Sequence, residues 1–91
     1  MEKSKKIKLY KKVKAKLEQI DSAENLKRNG LHLVDLEMLY TVLQKLFNTP
    51  DGKTYCLSEN VAKWCKKAGL KVIEPNAENS YSMVNFTICL E

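Results

Sequence analysis

Leu33, Leu36, Tyr40, Leu43 and Phe47 recur three and four residues apart, and Leu39 and Leu46 widen the stripe they form. That spacing belongs to one face of an α-helix, and no other segment of the chain keeps it up over so many apolar residues. It predicts a helix over 34–47 that acts as the spine of the core. Ninety-one residues support one such core, since a chain this short buries only about 60–65% of the surface its unfolded form exposes. One domain over 1–91 is the expectation.

The remaining elements follow from local signals. Tyr10, Val13, Leu17 and Ile20 mark a narrower helical face and predict a first helix over 5–19, docked on the core or projecting from it. Asp21 and Glu24 have capping-box spacing and open a short helix that stops at Asn29-Gly30. Thr49-Pro50-Asp51-Gly52 is a turn signal, followed by a short strand over 53–57 with Tyr55 and Leu57 on one side. Ser58 is a good N-cap for a helix running to Ala68, with Val61, Trp64, Cys65 and Ala68 inward and Gly69 closing it. A strand over 70–74 ends at Pro75, and Val84, Phe86, Ile88 and Leu90 alternate with Asn85, Thr87 and Cys89 in the clearest strand.

The fold class expected is therefore α+β. Two or three N-terminal helices precede a β-α-β-β unit whose last two strands pair as a C-terminal hairpin. A small antiparallel sheet packs on the 34–47 helix. The expected core is Leu36, Leu39, Tyr40, Leu43, Phe47, Val61, Trp64, Phe86 and Ile88.

Charge is distributed unevenly. Residues 1–16 hold eight lysines against Glu2 alone, whereas residues 17–91 hold eight basic and ten acidic side chains. Residues 1–20 thus form a basic amphipathic helix, and the basic balance of the whole chain belongs to that segment. Lys8, Lys12 and Lys16 follow one another at four-residue spacing, Lys5 extends the stripe, and Lys11 lies beside it. Like charges so placed destabilise a helix by about 0.2–0.5 kcal/mol per pair, and lysines in a first turn oppose the helix dipole. Local stability therefore does not account for them. A negative partner would: phosphates, an acidic protein face or anionic lipid. Simple solubilisation of a helix face is the plain alternative. Lys63, Lys66 and Lys67 add a second cluster, with Lys71 beyond it.

The order of the 34–47 helix, the 58–68 helix and the hairpin resembles the winged helix-turn-helix group. Ser58-Glu59-Asn60-Val61-Ala62-Lys63-Trp64-Cys65-Lys66-Lys67-Ala68-Gly69-Leu70 stands where a recognition helix runs into the first wing strand. The resemblance covers about half the chain and implies groove docking, with the lysines of that helix on backbone phosphates. The chain departs from the pattern between the two helices, where a turn of about 3–4 residues is replaced by ten, Asn48 to Leu57.

No catalytic constellation is legible. His32 lies in the apolar stretch Leu31-His32-Leu33-Val34 and reads as a helix-entry or half-buried residue rather than a general base. Cys56, Cys65 and Cys89 lack the paired spacing of zinc ligands and are expected to be reduced, buried and hydrophobic in behaviour. No metal, cofactor or small-molecule substrate is expected. The apolar runs fall short of the roughly 18 residues that span a bilayer, and a cytoplasmic location is the expectation.

The functional expectation is a non-enzymatic binding module. It would be a small regulator that contacts nucleic acid or a nucleoprotein through Lys5, Lys8, Lys11, Lys12, Lys16, Lys63, Lys66 and Lys67. The alternative is a protein that binds an acidic protein surface and blocks it. Small lysine-rich domains of that kind are common among phage and mobile-element proteins, including inhibitors of CRISPR nucleases. Lysine density favours the first. Arg28 as the single arginine favours the second, because base-reading surfaces lean on arginine forks and stacking rings. A third class, a structural subunit packing its first helix in an oligomer, fits the same features.

Overall fold

Local capping and periodicity carry through to the architecture. The computed structural model describes residues 2–75 and 85–90. In chain order it contains α1 (Lys3–Gln19), α2 (Ala23–Arg28), α3 (Leu33–Asn48), β1 (Lys53–Cys56), α4 (Glu59–Lys67), β2 (Lys71–Ile73) and β3 (Phe86–Cys89). The fold is a small α+β domain, with N-terminal helices followed by a β-α-β-β unit.

The sheet runs β1-β3-β2. Its last strand in sequence is therefore its middle strand in space, antiparallel to both neighbours. Ile88 stands opposite Thr54 on one side and Val72 on the other. The β2 and β3 pair has the antiparallel register of the expected hairpin; residues 76–84 between them, including Tyr81 and Val84, lie outside the described residues. The ten-residue segment that departs from a helix-turn-helix holds β1, and its pairing with β3 ties the middle of the chain to the sheet.

The core forms where α1, α3, α4 and the sheet meet. Leu39, Leu46, Val61, Cys65 and Ile88 are fully enclosed, and Val13 joins them from α1. Val13, Leu17 and Ile20 are all buried, so α1 is docked rather than projecting. Trp64 is buried, as its place in the α4 stripe predicts.

Two expectations change. The α2 N-cap is Ser22, not Asp21: the Ser22 hydroxyl accepts from the Asn25 backbone N–H at 3.2 Å, which places Glu24 inside the first turn. Tyr40 is 48% exposed and Leu33 70%, while Phe47 and Phe86 are only partly buried. The reason lies in helix geometry. The covered face of α3 centres on Leu39 and Leu46, and Tyr40 and Phe47 sit about a quarter turn away from that axis. Tyr55 of β1 and Leu57 just beyond it share a side as expected, the outer one, while Cys56 and the small Thr54 face inward.

Candidate functional site

α1 lies between two neighbours and uses a different flank toward each. One flank reaches the carboxyl end of α4. There the Lys16 ammonium, half-buried, donates to the backbone carbonyl of Lys67 at 3.0 Å. A helix end leaves its last carbonyls without partners and carries partial negative charge, so a cation at that point completes α4. Lys66 and Lys67 occupy the last turn of α4 and meet the same field.

Gly69 follows α4 at this point. Its φ of 101° lies in the region that side chains rarely adopt, and a Cβ there would stand 3.4 Å from the Lys12 ammonium. Lys12 thus arches over the α4 exit while its side chain stays exposed. Beside it, Lys16, Gln19, Asn25, Asn29, Trp64 and Lys67 frame a hollow of about 220 Å³ lined by no carboxylate. Lys12 and Lys16 of the first lysine cluster thus meet the end of α4, where Lys67 of the second stands.

The expected site residues divide by whether the fold explains them. Lys16 bonds to α4, and Lys66 and Lys67 complement its dipole. Lys63 is offset by Glu59, one turn earlier, at 3.3 Å, with both side chains exposed. Lys5, Lys8, Lys11 and Lys12 are exposed on α1, and no carboxylate among the described residues pairs with them. No acid occupies the first turn of α1, and Lys16 is the basic residue of its last. These four lysines therefore remain without a structural counter-charge among the described residues.

The opposite flank of α1 faces α3. Tyr10 packs edge-on against Phe47, with ring centroids 5.2 Å apart, and the Lys14 ammonium sits 6.0 Å from the Tyr10 centroid. The sequence pattern put Tyr10 on the apolar face of the first helix and assigned Phe47 and Tyr40 to the core. No local pattern signals that Tyr10 and Tyr40 stay half-exposed where the two helices meet.

His32 is exposed and occupies the N-cap of α3, where its backbone N–H donates to the Asp35 carboxylate at 2.9 Å. The three cysteines are buried and free. Burial pushes the Cys65 thiol up to about 12, with a smaller push from Cys56. The Cys56 thiol is also raised, mainly by burial, despite the opposing effect of its hydrogen bond to the Ser58 backbone. Raised thiol pKa values suppress the thiolate that nucleophilic chemistry needs. Among the described residues, no helix is long and apolar enough to cross a membrane.

Comparison of the chain with protein-family models, curated proteins and solved structures gives no match.

Proposed function

We propose that this chain is a non-enzymatic binding module that attaches to the phosphate backbone of nucleic acid or a nucleoprotein. The observation that carries this reading is the set Lys5, Lys8, Lys11 and Lys12: exposed on α1, without a carboxylate partner among the described residues, and with Lys12 beside the α4 exit. The resulting surface is rich in ammonium groups and poor in guanidinium forks. It suits phosphates, which position a protein, better than base edges, which specify sequence.

The test is a titration against mixed-sequence duplex and single-stranded DNA and RNA at several salt concentrations. Each neutralised duplex phosphate contributes about −0.9 to the slope of log affinity against log salt, so four lysines give a slope of roughly −4. Changing Lys5, Lys8, Lys11 and Lys12 together to Gln flattens that slope toward zero, and binding is indifferent to sequence. No binding at low salt would eliminate the proposal. A second reading, a protein that blocks a partner complex in the manner of phage inhibitors, draws on the exposed apolar residues Ile7, Tyr10 and Tyr40 on the other flank of α1.

A further inference from the structure

We infer that the channel between α1 and α3 is a docking groove for an acidic amphipathic helix of a partner protein. This surface is separate from the basic flank of α1, and its occupancy does not depend on nucleic-acid binding. Two recesses flank the Tyr10–Phe47 ring contact: Lys3, Lys6 and Ile7 border one, and Lys14 and Tyr40 border the other. Ile7, Tyr10 and Tyr40 are 46%, 46% and 48% exposed, so both recesses carry half-bare apolar side chains. The buried residues Val13, Leu17 and Leu43 contribute the floor.

Length and charge select the occupant. From Ile7 to Leu17 the α1 wall runs about 15 Å, at 1.5 Å per residue. A helix with anchors at i, i+3 or i+4, and i+7, the usual pattern of a helix laid in a groove, places its first and last anchors about 10.5 Å apart and fits within that length. The rim is basic: Lys3, Lys6 and Lys14 line its recesses, and no carboxylate does. A helix with Asp or Glu beside its apolar anchors is complementary to that rim, and a basic helix is repelled by it. Base stacking fits less well. The Lys14 ammonium already stands 6.0 Å from the Tyr10 ring centroid, on the side a stacked base would need. The edge-on pair also holds the Tyr10 ring in place, so less ordering is required on binding.

Selection from a displayed library of randomised helical peptides, using the full chain as bait, tests the inference. The expected enrichment is Leu, Phe or Trp at i, i+3 or i+4, and i+7, with Asp or Glu between them. The best enriched peptide should bind at least tenfold more weakly to Tyr40→Asp and Lys14→Glu, both exposed positions, at a temperature where thermal melts show each variant fully folded. It should bind unchanged to the Lys5→Gln, Lys8→Gln, Lys12→Gln variant. The inference is overturned if no peptide is enriched, if the enriched peptides are neutral or basic, or if Tyr40→Asp retains full affinity. It is equally overturned if oligothymidylate displaces the peptide and shifts the Tyr10 and Tyr40 ring resonances, which would give the groove to bases.

Discussion

The Ser58 hydroxyl donates to the buried carboxylate of Asp35 at 3.1 Å, joining the first turns of α3 and α4 across 23 residues of sequence. Each partner also caps a helix. The second Asp35 oxygen accepts from the His32 N–H at 2.9 Å, and the Ser58 oxygen accepts from the Val61 N–H at 3.3 Å. One hydroxyl and one carboxylate thus satisfy two helix starts and fix how those helices meet.

Ser58→Ala removes a cap and a donor to a buried acceptor, and should cost about 1–3 kcal/mol. Asp35→Ala should cost a similar amount. A double-mutant cycle followed by denaturant unfolding should give a coupling of about 0.5–3 kcal/mol. Strict additivity would show that the two caps act independently.

The lysines of α1 should separate in the same way as their surroundings. Lys16→Gln loses the bond to the Lys67 carbonyl and should lower stability by about 1 kcal/mol. Replacing Lys5, Lys8 and Lys11 by Gln should leave the melting temperature unchanged or slightly higher, since like-charge repulsion is relieved. Thermal melts of the two variants check this, and equal losses would contradict the division between structural and binding lysines.

Aromatic truncations should rank by burial. Trp64→Ala should cost about 3–5 kcal/mol, because Trp64 is 5% exposed. Phe86→Ala should cost less, and Tyr40→Ala less than about 1 kcal/mol. Urea titration orders them; a Tyr40 variant as damaging as the Trp64 variant would place that ring in the core.

The raised Cys65 thiol also sets a pH dependence. Its pKa in the folded chain, about 12, exceeds the ordinary value of 9.0. Between those values the unfolded chain has released a proton that the folded chain retains, so stability falls as pH rises. The contribution is complete below about pH 9 and is lost progressively toward 12. Cys65→Ala should show a shallower decline in unfolding experiments across pH 8–10, and iodoacetamide should label native Cys56 and Cys65 only as fast as the chain opens. Rapid labelling at neutral pH would contradict their burial.

Much of the chain was legible residue by residue. Ser58 as a cap, Pro50-Asp51-Gly52 as a turn, Gly69 as a helix stop and the alternation through Ile88 each announce an element, because capping and periodicity act over a few residues. The exchange of Asp21 for Ser22 shows the limit even there: both can cap, and backbone geometry selects one. Tyr40 and Phe47 mark a deeper limit. A wide apolar stripe shows that a helix is covered, but which part is covered depends on the helix laid against it. The lysine excess on α1 was likewise visible from composition, whereas the contact of Lys16 with Lys67, 51 residues away, and of Tyr10 with Phe47 was not. Side-chain spacing along a helix is set by 3.6 residues per turn and travels with the sequence. Which flank of α1 meets α4 and which opens toward α3 is decided only when distant segments pack together, since that choice minimises exposed apolar surface over the whole domain.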